Sequence, residues 1–123
     1  RNIAILIRKM GIIYFKRNHD YKKAKEHFLR SLELSELIDD KSLISSALNN
    51  IGVIYNKQNN KDNSLVYYTR AMKIAEKIGD KYNIGLLARN IGNLYYNKGD
   101  KDKAADYYTR SRKIAEEIGT KDF

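Results

Sequence analysis

The chain has 123 residues, carries a net charge of +9, and contains no cysteine, proline or tryptophan. With 42% hydrophobic and 32% charged residues it is too apolar for a disordered chain, and it is the size of one ordinary domain. The missing cysteines exclude disulfides, thiolate metal sites and cysteine nucleophiles, and no apolar run approaches the roughly 18 residues of a membrane helix.

Apolar spacing predicts six helices in chain order, over 2–17, 21–38, 41–58, 61–78, 81–98 and 101–118. In the third, Ile44, Ala47, Leu48, Ile51 and Tyr55 recur at helical intervals. In the fourth the stripe is Leu65, Tyr68, Ala71 or Met72, Ala75 and Ile78. Gly79 and Gly119 suit left-handed C-terminal caps, and Asp40 and Asp80 suit the N-caps of the helices that follow. Polar turns at Asn18-His19-Asp20, Asn59-Asn60-Lys61 and Lys98-Gly99-Asp100 divide each pair.

The pairs repeat. Ile51-Gly52-Val53-Ile54-Tyr55 returns as Ile91-Gly92-Asn93-Leu94-Tyr95, and Tyr67-Tyr68-Thr69-Arg70 as Tyr107-Tyr108-Thr109-Arg110, both at an offset of 40. Met10-Gly11-Ile12-Ile13-Tyr14 is the diverged first copy, with one extra residue in the turn near His19. A repeated two-helix unit of this length signals a solenoid. The apolar-Gly pair followed by Tyr on each first helix, and the small-aromatic-small series on each second helix (Ala24, Phe28, Ser31; Ser64, Tyr68, Ala71; Ala104, Tyr108, Ser111), resemble the tetratricopeptide repeat over essentially the whole chain. The usual period is about 34 residues. Here it is 40, and Glu36, Glu76 and Glu116 stand where a proline is usual. That resembles the long-repeat variant of kinesin light chains, spindle-orientation adaptors and bacterial signalling regulators.

The resemblance implies an all-α, right-handed α-α superhelix of three helix pairs, with units of about 1–40, 41–80 and 81–120 in one array over 1–123. It implies a module that binds a peptide or protein, without enzymatic activity or cofactor, as in adaptors and sensors. The first helices would line a concave groove. About 100° round from their Tyr-Gly stripe lie Arg8, Ile12 and Phe15; Asn49, Val53 and Asn56; and Arg89, Asn93 and Tyr96, flanked by Lys9, Asn50 and Asn90. In long-repeat relatives an Asn at the register of Asn50 and Asn90 grips a peptide backbone; Lys9 breaks that ladder in the first unit. Arg8, Lys9 and Arg89 would favour acidic side chains or a C-terminal carboxylate. A two-carboxylate clamp is not matched, since Ile12, Leu86 and Asn90 stand where its other polar residues belong.

Two other function classes have support in the sequence. A basic chain with ten tyrosines could stack nucleic-acid bases. Half of those tyrosines (Tyr14, Tyr55, Tyr68, Tyr95 and Tyr108) are repeat core positions, and Tyr67 and Tyr107 are read as packing between pairs, which leaves Tyr21, Tyr82 and Tyr96. Self-association through terminal helices is the other, because the last helix keeps apolar Ile114, Ala115 and Ile118. His19 and His27 form no metal set, and neither a membrane nor a small-molecule substrate is indicated. The start at Arg1 reads as a cut within a longer protein, and the composition leans toward the cytoplasm and a bacterial source.

Overall fold

In the computed structural model, residues 1–121 and 123 are described. They form α1 (Asn2–Asn18), α2 (Tyr21–Leu37), α3 (Lys41–Lys57), α4 (Lys61–Ile78), α5 (Lys81–Asn97) and α6 (Lys101–Ile118). Each end lies within one residue of its predicted position. The agreement follows from a cap every twenty residues. Asp20, Asp40, Asn60, Asp80 and Asp100 each accept a hydrogen bond from the backbone N–H three residues on, at Lys23, Leu43, Asn63, Asn83 and Lys103. The turns reverse through left-handed residues, Gly79 and Gly119 as anticipated, together with His19, Asp39, Asn59 and Gly99.

Consecutive helices pack in antiparallel pairs, α1 with α2, α3 with α4 and α5 with α6, and the pairs stack through α2 on α3 and α4 on α5. The helix α3 also touches both α1 and α5, whereas the second helices do not touch one another. The stack is therefore a solenoid that curves with α1, α3 and α5 inside and α2, α4 and α6 outside.

Within each pair a glycine meets an aromatic ring. A Cβ on Gly11 would lie 2.7 Å from Phe28, one on Gly52 2.6 Å from Tyr68 and one on Gly92 2.8 Å from Tyr108. Buried serines fasten the same joints. Ser31, Ser64 and Ser111 donate to the carbonyls of Ala4, Gly52 and Gly85 within their pairs at 2.7–2.9 Å. Ser45 likewise donates within its pair, to Ala71 at 3.0 Å. Tyr67 stacks on Tyr55 at 5.5 Å and Tyr107 on Tyr95 at 5.8 Å. These two tyrosines thus pack within their own pairs, not between pairs as the sequence reading had it. The reason is that each projects from the second helix toward the Tyr of its own first helix. At the far end, Ile114 and Ala115 are buried, and only Ile118 of the apolar residues singled out on α6 is exposed.

Tyr68 sits at the centre of the stack, fully buried. Burial pushes its phenol up to about 12, opposed in part by a hydrogen bond with Ser64 and by the charge of Arg89. The folded chain therefore holds this proton more tightly than the unfolded chain. The associated stability is complete below the unfolded value near 10 and is lost as pH rises through about 12. Urea unfolding followed across that window should show a loss on the order of 2 kcal/mol from this group. Tyr68→Phe should fold, since Phe28 fills the same position in the first unit, and should lose correspondingly less.

Candidate functional site

The inner face carries one groove made of two adjoining hollows. The first, of about 480 Å³, runs from Arg1 and Ile5 across Ser42, Ser46 and Asn49 to Asp80 and Asn83. The second, of about 430 Å³, is lined by Arg8, Ile12, Phe15, Asn49, Asn50, Val53, Arg89 and Asn90. They share Arg8, Asn49, Asn50, Tyr82 and Leu86, so a ligand passing from one to the other would cross those five side chains.

Eight residues expected at the groove thus line it together. The other four lie outside the two hollows. Lys9, one residue on from Arg8, is rotated about 100° further round α1 and is exposed. Asn56 is half-buried one turn beyond Val53. Asn93 and Tyr96 are exposed on α5, and Asn93 accepts a 2.5 Å hydrogen bond from the Tyr108 hydroxyl. The sequence reading missed Ile5, Ser42, Ser46, Tyr82, Asn83 and Leu86. These continue the same stripe one or two turns toward the start of each first helix, so helical periodicity alone could have found them.

Polar bonds tie the first helices to one another across the groove floor. Arg8 Nη1 donates to Asn50 Oδ1 at 3.3 Å, joining α1 to α3. Asn90 Nδ2 donates to Asn49 Oδ1 at 2.9 Å, joining α3 to α5, with Asn49 only 4% and Asn90 9% exposed. About two turns earlier, Asp80 accepts from Ser42 Oγ and Asn83 Nδ2, each at 2.9 Å. The equivalent residues Asn50 and Asn90 therefore sit differently. Asn50 is half-buried and bonded through its oxygen, while Asn90 is buried and bonded through its amino group.

The charges in the groove are unbalanced. Neither Arg8 nor Arg89 takes part in any ion pair among the described residues. Each buries its Nε without a hydrogen-bond partner. Burial lowers the Arg8 guanidinium below its ordinary value, partly opposed by Tyr82, yet arginine stays cationic at neutral pH. The carboxylate lining the groove, Asp80, is engaged with Ser42 and Asn83. The groove thus combines two half-buried guanidiniums outside any ion pair, side-chain amides and an apolar strip of Ile12, Phe15 and Val53. Among the described residues, no group of three or more His, Cys, Asp or Glu could hold a metal ion, and no helix is long and apolar enough to cross a membrane.

The family model described as "Tetratricopeptide repeat" matches residues 2–77 and again 43–117. The chain belongs to the tetratricopeptide repeat family. No curated protein matches it. Among solved structures it is similar to the tetratricopeptide repeat domain of Arabidopsis FLU, at 23% identity and a TM-score of 0.81 over 92% of this chain and 94% of that one. It is similar to BtubC (BKLC) from P. vanneervenii, at 24% identity and 0.80 over 95% of this chain. It also resembles aspartyl phosphate phosphatase F from Bacillus subtilis, at 21% and 0.82 over 94%. The aligned part is 48% of BtubC and 30% of the phosphatase. At these identities the likeness is one of fold. Tetratricopeptide repeat folds generally mediate protein–protein interaction.

The buried bond between Asn90 and Asn49 makes a stability prediction. Asn90→Ala should leave Asn49 Oδ1 buried without its donor and cost about 1–3 kcal/mol in urea unfolding. Replacing both residues by alanine should cost less than the sum of the two single changes.

Proposed function

We propose that this tetratricopeptide repeat array is a binding module of the adaptor or sensor kind, without catalytic activity of its own, that holds an extended acidic peptide segment in its concave groove. The observation that carries the reading is the pair Arg8 and Arg89, each with an unpartnered, buried Nε in one hollow and no carboxylate on either. A carboxylate from a ligand would supply the charge-assisted bonds that the chain itself withholds. The Asn50 amino group, not used in its bond to Arg8, would reach a peptide carbonyl. Ile12, Phe15 and Val53 would take an apolar side chain. Asn90, tied to Asn49, acts on this reading through the shape of the groove floor more than by gripping the ligand.

The nucleic-acid alternative has less behind it. Of the three tyrosines left for base stacking, Tyr21 packs on Phe15 at 5.4 Å and Tyr82 meets Phe123 at 5.4 Å. Tyr82 and Tyr96 remain 56% and 54% exposed, near opposite ends of α5. Two rings roughly 20 Å apart along one helix do not make a platform for successive bases.

The test is a paired pull-down from nuclease-treated lysate of the source organism, with the native chain and Arg8→Ala/Asn50→Ala as baits. Removing both members of that hydrogen bond leaves neither partner orphaned, so both baits should be equally helical by circular dichroism. A protein held by the native bait and lost from the variant is the expected result. Identical partners on both baits would place binding outside the groove. Binding that requires omission of nuclease would favour the nucleic-acid reading.

A further inference from the structure

The two hollows of the groove differ in charge, and each holds a charge that the chain leaves without a counter-ion. The hollow of about 480 Å³ draws on the first turns of the inner helices, through Ile5, Ser42, Ser46 and Asn83, and includes Asp80. Its neighbour of about 430 Å³ draws on later turns, through Ile12, Phe15, Val53 and Arg89, and no carboxylate lines it among the described residues. A segment that passes from one hollow to the other therefore runs along α1, α3 and α5, not across them.

The Asp80 carboxylate accepts from the Ser42 hydroxyl, the Asn83 side chain and the Asn83 backbone N–H. All three donors are neutral, and Asp80 is in no ion pair among the described residues. The equivalent residue one unit earlier, Asp40, is paired with Arg1, and Ser42 holds the place of that arginine beside Asp80. The positive end of the α5 dipole offsets only about half a unit charge. A carboxylate has about four acceptor sites, so Asp80 keeps one for a cation in the hollow. Toward the other end, Arg8 and Arg89 are likewise outside any ion pair, each with its Nε unpartnered. Asp80 and Arg89 are nine positions apart, about 13 Å along the axis of α5. An extended chain advances about 3.3 Å per residue, so roughly four residues cover that distance.

We infer that the groove reads a pair of opposite charges in its peptide, and so holds it in one orientation. A lysine or arginine meets Asp80, and an aspartate or glutamate about four residues away in the extended segment meets Arg8 and Arg89. An apolar residue beside that acid lies on Ile12, Phe15 and Val53. This rests on the acidic-peptide reading above and adds to it a second charge, a spacing and an orientation. The reversed segment would set its acid against Asp80 and its base against two guanidiniums, and that repulsion is what excludes it.

The test uses fluorescein-labelled peptides with the core Lys-Ser-Ala-Ser-Glu-Leu and its reverse, Leu-Glu-Ser-Ala-Ser-Lys, each beside a copy with glutamine for lysine. The two orders present the same charge pair with the backbone running either way. In one order, anisotropy should show the lysine peptide binding the native chain at least about threefold more tightly than its glutamine copy. Asp80→Asn should bring that ratio to about one. Asparagine remains a good N-cap, as Asn60 is for α4, so this variant should match the native chain in helicity by circular dichroism. Arg89→Gln should weaken the lysine peptide and its glutamine copy alike, by about tenfold, since both carry the acid. A lysine placed next to the glutamate should confer no advantage over glutamine, because it cannot span the groove.

Glutamine copies that bind as tightly as their lysine parents in both orders, a lysine preference that survives Asp80→Asn, or an equal preference at the adjacent spacing would each overturn the inference. If Arg89→Gln still weakens the peptides in those cases, the acidic-peptide reading stands without it. If no peptide binds, or Arg89→Gln weakens none, that reading falls as well.

Discussion

The contact between a glycine on each first helix and an aromatic ring on each second helix governs the rest of this structure. With Gly11, Gly52 and Gly92 lacking a Cβ, the rings of Phe28, Tyr68 and Tyr108 lie where that atom would otherwise be. The helices of a pair can then approach closely enough for buried serines to reach carbonyls on the facing helix, as Ser64 does to Gly52 and Ser111 to Gly85. Close packing of this kind leaves little room for adjustment. Repeating one joint three times therefore repeats one geometry, and a curved stack follows from it.

The curvature puts α1, α3 and α5 side by side, and that brings the groove residues together. Arg8 reaches Asn50, and Asn90 reaches Asn49, only because successive first helices are in contact. The same arrangement strands two guanidinium Nε atoms in the floor without a carboxylate. A buried polar atom without a partner is costly, and it is this cost that the proposed acidic ligand would relieve. The outer face of α1 follows from the same stacking rule. Every first helix carries an apolar stripe, covered by the preceding helix on α3 and α5 and exposed among the described residues on α1.

Most of the fold was legible because its signals are local. An Asp or Asn cap every twenty residues marks where helices begin, and the 40-residue repeat sets Gly52 against Tyr68 as it sets Gly92 against Tyr108. The groove was legible only as a face. Periodicity placed Arg8, Asn49 and Arg89 on one stripe, but it could not say that Asn90 would turn its amino group to Asn49, which depends on the offset between helices 41 residues apart. It put Lys9 with Asn50 and Asn90 because the three share a register. The register is equivalent, yet the surroundings are not. Asn50 and Asn90 each bond to the first helix of the preceding pair, α1 and α3, whereas no described helix lies on that side of α1 and Lys9 is exposed. The exposed end was sought at α6, where apolar residues are visible in the sequence. Ile114 and Ala115 are buried there, and the larger bare stripe lies on α1.

The central claim is that a ring filling the place of a missing Cβ sets the approach of each helix pair. A double-mutant cycle in urea on Gly52 and Tyr68 tests it most directly. Gly52→Ala should cost about 1–3 kcal/mol in the native chain, because the new methyl would lie 2.6 Å from the Tyr68 ring. In a Tyr68→Leu background, where the ring is absent, the same change should cost much less, giving a coupling on the order of 1 kcal/mol or more. An equal cost in both backgrounds would mean that Gly52 is required for some reason other than the ring, and would contradict the account.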